Sequence, residues 1–280
     1  MRLVPDGPDI PLEILDAQEE GELAIFAGAG VSFPNDLPLF DGLVENVREE
    51  LGATWKPEEE RAKDKDQYDR VLDLLEREHR FPDQVRSAVQ GELEAPDKPD
   101  LDTHEALVDL ARAEYGTGDL HLVTTNFDRL FEKTSRDLDT ASAPRLPIPK
   151  QKKWNELVYL HGHIGEHDPD GRHLVLTSGD FGIAYLTERW ASRFVSELFN
   201  HFTVLFVGYG VNDPVMRYLV DAIAADREGG IDERLREAYA FASFEDGERE
   251  NVKDKWQTKN ISPILYPEGQ NHERLHDTLH

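Results

Sequence analysis

Five short runs of branched and aromatic residues, each ending in glycine or small polar side chains, limit what this chain can fold into. They are ELAIFAG at 22–28, LHLVTTN at 120–126, ELVYLHG at 156–162, TVLFVGYG at 203–210 and AYAFAS at 238–243. Apolar residues at successive rather than alternate positions suit strands buried on both faces, the condition of a parallel sheet. Between them, GLVENVREEL, DTHEALVDLARAEY, AYLTERWASRFVSELFNHF and DPVMRYLVDAIAADR repeat apolar residues at three- and four-residue spacing, the pattern of helices that bury one face. Asp102 and Asp213 stand where they can cap two of these helices. The alternation predicts an α/β, Rossmann-like parallel sheet with helices on both faces.

Two intervals break the rhythm. Residues from about 54 to 99 are charged and helical without a convincing strand, and close in EAPDKPD. They are read as a helical insertion lobe in a chain whose 280 residues are about the limit for one core, so that 1–280 forms a single domain. Residues 137–153 carry APRLPIPKQKK, whose prolines argue for a loop. Its Lys150, Lys152 and Lys153 are either solvated or contacts for an anion. The stretch AYLTERWASRFVSELFNHF is apolar on more than one side, which serves core packing or an oligomer contact.

Composition removes several classes of function. The 57 acidic and 31 basic residues leave a net charge of -26, which repels nucleic acid and anionic membranes and keeps a surface hydrated in a salty cytoplasm. With no cysteine there is no disulfide, thiol nucleophile, iron–sulfur cluster or cysteine-held zinc. The apolar runs fall short of the ~20 residues of a membrane span. The first 21 residues are acidic and lack a secretory pattern, so a cytoplasmic location is expected.

In an open parallel sheet, ligands gather beyond the carboxyl ends of the strands. Four turns there carry polar or glycine-rich sequence: GAGVS, TTNFD, LHGHIG and GYGVND. Gly28 and Gly30 let backbone amides approach a pyrophosphate. Phe33, however, stands where the dinucleotide fingerprint has its third glycine, and Pro34 and Pro38 follow, so the dehydrogenase pattern fails and the turn alone is only a tight turn. Asn126 and Asp128 can bond sugar hydroxyls or an amide, or cap the next helix. His161, before Gly162, projects from a strand end as a base or as a structural histidine. His161, His163 and His167 form a local run whose spacing does not converge, and no metal site is expected.

Taken in order, these motifs resemble the sirtuin family, and specifically the cysteine-free, sirtuin-like NAD hydrolases of prokaryotic antiphage defence. The resemblance runs from about Gly21 to Pro267 through Gly28-Ala29-Gly30-x-Ser32, Pro38-x-Phe40, Thr125-Asn126-x-Asp128, His161-Gly162 and Gly208-x-Gly210. It implies that Gly28, Ala29, Gly30 and Ser32 cradle the NAD phosphates, that Phe40 belongs to the adjoining step, and that Asn126 and Asp128 meet the nicotinamide ribose and carboxamide. It further implies that His161 is the general base and that Gly208, Gly210, Asn212 and Asp213 line the adenosine half, although Asp213 also suits a plain cap before Pro214. Two departures stand out: the four-cysteine zinc ribbon of deacylase sirtuins is missing, and Asp41 follows Phe40 where deacylases carry arginine. Both favour cleavage of NAD by water over deacylation.

The bond between nicotinamide and ribose breaks through a state with positive charge on the sugar. Asparagine orients an amide or a water without adding charge, and histidine accepts a proton near neutrality. The expected function is an NAD hydrolase releasing nicotinamide and ADP-ribose, an antiphage effector kept silent until a trigger or partner activates it, with regulation by self-assembly or a separate protein. A non-catalytic module sensing NAD or an ADP-ribose derivative is the alternative from another class, with an NAD-dependent deacylase third.

Overall fold

The five apolar runs become the interior of one sheet. The computed structural model describes residues 1–4, 7–78, 82–112, 118–135, 137–150, 154–165, 168, 170–211, 215–220, 236–269 and 272–279. Among these, β1 (Leu23–Ala27), β2 (His121–Thr124), β3 (Thr140–Ser142), β4 (Glu156–Tyr159), β5 (Thr203–Val207), β6 (Ala238–Phe244) and β7 (Ser262–Pro267) pair in the order β3-β4-β2-β1-β5-β6-β7. Every pairing is parallel. The chain moves outward from β1 through β2 to β3 at the edge, lays β4 between β3 and β2, then returns to place β5 on the other side of β1. That reversal opens a crevice above the carboxyl ends of β1 and β5, the place where such sheets bind ligands.

β3 and β7 were not foreseen. β3 lies inside the interval read as a loop, and its three residues TAS are half-buried to exposed, so no apolar run marks it. SPILYP contains two prolines, which only an edge strand tolerates because one side needs no ladder donors. Both strands sit at the sheet's edges.

Side chains of β1 alternate between two cores. Ala24 and Phe26 join Val204, Phe206, Leu198 and Trp154 on one face, while Leu23, Ile25 and Ala27 join Leu107, Leu122 and Leu205 on the other. The first face is covered by α9 (Trp190–His201) and helical residues 215–220 (α10), the second by α1 (Leu12–Glu19) and α6 (Asp102–Leu110). The stretch read as one helix over 184–202 is instead broken. A π-helical segment runs from Gly182 to Thr187; Arg189, two residues on, has a φ of 60° in the left-handed region, and α9 starts at the next residue. The Asp102 cap is also corrected: α6 begins at Asp102 itself, and Asp100 Oδ1 accepts the Asp102 N–H at 3.1 Å. Asp213 lies outside the described residues.

A third apolar cluster joins α2 (Phe40–Glu50), α4 (Tyr68–Glu78) and α5 (Pro82–Glu92) through Leu43, Val47, Val71, Leu72, Leu75, Val85 and Val89. Together with α3 (Pro57–Lys63), α4 and α5 occupy the interval 54–99, and no strand occurs there among the described residues. The cluster takes in Phe127, Leu174 and Leu176, which follow β2 and β4, so it packs on the rim of the crevice. Buried Arg86 bolts it there. Its guanidinium donates to the carbonyls of Gly171 (2.7 Å) and Leu174 (3.0 Å) and pairs with Asp180 (2.7 Å) and Glu76 (2.8 Å), so the buried cation is fully compensated.

Candidate functional site

The turns after β1 and β5 press directly on each other. Gly208 has φ 76°, and a Cβ there would lie 2.7 Å from the Val31 nitrogen; a Cβ on Gly28 or Gly30 would come within 2.8 or 2.9 Å of Gly208. The amides of Gly28, Gly30, Val31 and Ser32 donate to the carbonyls of Val207, Gly208, Gly28 and Ala29 at 2.9–3.1 Å. These three glycines are therefore required by turn-on-turn contact; the amides of Gly28 and Gly30 bond the second turn, and those of Val31 and Ser32 close the first. Gly162 is similar: with φ 82°, its Cβ would meet the His173 carbonyl at 2.7 Å. Neighbouring backbone, rather than room for a ligand, demands glycine at that position.

The interlocked turns divide the crevice into two hollows. Ala29, Ser32, Phe40, Asn126, Asp128 and His161 line one of them, with Phe181 and Val215. Gly30, Gly208 and Gly210 line the other, with Thr103, Ser243, Tyr266, His272 and His276. Of the residues expected in the site, Gly28 stands in the wall between, and Asn212 and Asp213 lie outside the described residues.

The first hollow holds a buried polar network. The Ser32 hydroxyl donates to Asp128 Oδ2 at 2.8 Å and accepts from Asn126 Nδ2 at 3.1 Å, while His104 Nε2 lies 3.3 Å from the same oxygen. Asp128 Oδ1 accepts the Leu130 N–H at 3.0 Å, starting α7 (Leu130–Thr134). Asp128 thus serves the start of the helix and the wall of the hollow with different oxygens. Burial raises its pKa, against hydrogen bonds from Leu130 and Ser32 that lower it. The Asn126 N–H donates to Thr124 Oγ1 at 3.0 Å. Its Oδ1, though buried, has no partner among the described residues.

His161 forms the opposite wall at 1% exposure. Its Nε2 lies 2.9 Å from the Tyr185 hydroxyl, and its ring meets Phe181 edge-on at 5.1 Å. Burial depresses its pKa to about 3, so the ring is neutral at physiological pH, and its Nδ1 has no partner among the described residues. Phe181 closes α8 (Ser178–Phe181), whose start is set by Thr177 and Asp180 capping each other at 3.2 and 2.9 Å. His163 turns the other way, its ring 4.6 Å from Tyr159, and His167 lies outside the described residues. Among the described residues no cluster of three metal-ligating side chains occurs.

Three contributors escaped sequence reasoning. Tyr185 passed as one apolar member of a helix. Tyr209, whose hydroxyl bonds Thr125 Oγ1 at 2.6 Å and the Ala27 carbonyl at 3.2 Å, passed as a strand residue. His104 did leave a signal: it shares the helical spacing of Leu107, Val108 and Ala111, and a titratable residue on a buried stripe needs a partner.

The geometry agrees with comparison to known proteins. A family described as SIR2-like domain matches residues 120–264, just over half of the chain. The chain belongs to the SIR2-like domain family. The SIR2-like match takes in Asn126, Asp128, His161, Gly208 and Gly210. The chain is also 35% identical over 282 residues to an uncharacterized protein, y4cA, of Sinorhizobium fredii, covering 97% of this chain and 23% of that protein. It is 25% identical over 208 residues to defense-associated sirtuin 2 of Bacillus subtilis, covering 72% of this chain and 19% of that protein. This SIR2-like chain therefore spans less than a quarter of the length of either relative.

Proposed function

We propose that this chain hydrolyses NAD to nicotinamide and ADP-ribose. The observation that carries the reading is that Asn126 and His161 both line one hollow at the switch point of a SIR2-like sheet, and that each has a buried polar atom, Oδ1 and Nδ1, with no partner among the described residues. A buried polar atom without a partner is costly unless a ligand completes it. An uncharged amide oxygen and a neutral imidazole suit a carboxamide and ribose hydroxyls, and NAD fits this donor set. Asn126 orients the nicotinamide end. The Asp128 carboxylate, held by Ser32, faces the sugar on which positive charge develops. Water attacks the anomeric carbon, the bond to nicotinamide breaks with its electrons on the leaving nitrogen, and His161 Nδ1 takes the proton the water loses.

The domain is read as one NAD-binding unit over 1–280, with 54–99 as its insertion. The name of the Bacillus relative supports a defence role, in which loss of NAD halts an infected cell; self-assembly or a separate protein then restrains the activity. A cytoplasmic setting suits that role. No helix among the described residues is long and apolar enough to cross a membrane.

One observation favours the binding-only alternative. A histidine with a pKa near 3 is a weak base, adequate for contacting a ligand without cleaving it. Incubation with NAD, followed by chromatography of nicotinamide and ADP-ribose, separates the two readings when Asn126→Ala and His161→Ala are run beside the wild type. Cleavage lost in both variants supports hydrolysis. Intact NAD that calorimetry finds bound to the wild type supports the sensor.

A further inference from the structure

We infer that His104 is a positioning residue, which by donating its Nε2–H to Ser32 fixes the orientation of the Asn126 carboxamide beside the hollow. The inference rests on the NAD-cleaving role proposed for that hollow. His104 lies on α6 with 0% exposure, its ring packed edge-on against Phe131 at 4.7 Å. It lines neither hollow, so it acts only through Ser32.

A serine hydroxyl has one hydrogen and two acceptor sites. The Ser32 hydrogen goes to Asp128 Oδ2 and one acceptor site is filled by Asn126 Nδ2. His104 Nε2, 3.3 Å away, therefore has to be the donor at the remaining site. In the other tautomer, its bare Nε2 would compete with Asp128 for the single hydrogen. A hydroxyl rotated toward His104 would release Asp128 and remove the reason for Asn126 to present its amino group to Ser32. The Nε2–H tautomer leaves Nδ1 as the bare nitrogen, and His104 Nδ1 indeed has no partner among the described residues. Burial, which lowers the His104 pKa to about 4, keeps the ring neutral. The neutral ring supplies a fixed donor without placing a second charge beside Asp128.

The test uses protein labelled with ¹⁵N at histidine, together with His104→Leu, His104→Gln and Ser32→Ala. Long-range ¹H–¹⁵N spectra at neutral pH, with the His104 signal assigned by its loss in His104→Gln, should show the Nε2–H tautomer and a shifted Nε2 resonance in Ser32→Ala. In the NAD assay, His104→Leu should lower kcat about tenfold, the scale of one lost buried hydrogen bond, with KM little changed. His104→Gln, which keeps an N–H near the same place, should recover part of that loss while the unfolding midpoints of the two variants stay close. An Nδ1–H tautomer, an Nε2 resonance indifferent to Ser32→Ala, or equal activity in the Leu and Gln variants overturns the inference. If the wild type cleaves no NAD, the hydrolase reading fails separately, and the tautomer with its response to Ser32→Ala decides the part played by His104.

Discussion

The two hollows beside the Gly28–Ser32 turn are built in opposite ways. The Asn126–His161 side holds about 50 Å³ of free space, and three of its lining residues, Ser32, Asn126 and Asp128, are bonded to one another beneath the surface. The Gly208 side holds about 210 Å³. It is framed by backbone and by the pairs Thr103–His276 (2.7 Å) and Tyr266–His272 (3.1 Å), which join α6 and β7 to the C-terminal residues, including α12 (Glu273–Leu279). The contrast is between orientation and accommodation. A bond-breaking site gains from groups held rigid before the substrate arrives, because they need no reorganisation during reaction, whereas a site that only grips the far end of a ligand can be roomy.

The sharpest way to break this comparison is to remove a group from the tight side. His161→Ala or Asn126→Ala should lower NAD turnover by about 10²–10⁴-fold, the usual range for a positioned proton acceptor or orienting donor, while calorimetry still finds NAD bound through the roomy side. If binding and turnover fall together, the division of labour is wrong.

The wall between the hollows comes next. Gly208→Ala places a Cβ 2.7 Å from the Val31 nitrogen at a φ of 76°, and should cost about 2–3 kcal/mol, seen as a lower denaturation midpoint with both hollows impaired. Little loss of stability would mean that the two turns can separate.

Acid probes the fold through its buried histidines, of which His161 lines the tight side. Burial lowers His161 to about 3, and His104 and His121 to about 4. In each case the unfolded chain, with an ordinary value near 6.5, binds the proton first. Stability is therefore full above about pH 6.5 and falls as pH drops toward 4, by at most about 1.4 kcal/mol per pH unit for each histidine. Denaturant melts of the wild type across this window, beside His104→Gln, should show a shallower loss in the variant.

The smallest effect is expected on the roomy side. Tyr266→Phe deletes the hydroxyl that meets His272 and should weaken NAD binding by a few-fold, about 1 kcal/mol, with kcat unchanged. A kcat defect there would make the roomy side part of the chemistry.

Much of this was legible in the amino-acid order. The runs that became β1, β2, β4, β5 and β6 are apolar without interruption, and burial on both faces leaves no other choice. Asn126, Asp128 and His161 were visible because polar residues at the ends of such runs emerge at one edge. β3 and β7 were not, since an edge strand needs neither length nor uninterrupted ladder donors. The break at Arg189 was hidden too: the apolar period continues across it, while the backbone turns left-handed at one residue.

Local pattern therefore settled the sheet's inner strands, their parallel sense and the edge on which polar groups collect, because periodicity and burial act over a few residues. Contacts between distant segments settled the rest. Gly28 and Gly30 were read as openings toward a phosphate, yet Gly208, far along the chain, is what requires them. His104 and Tyr185 entered the site from helices on opposite faces of the sheet. The direction of a hydrogen bond such as that between His104 and Ser32 depends on every other partner of the shared hydroxyl, and those partners meet only in the folded chain.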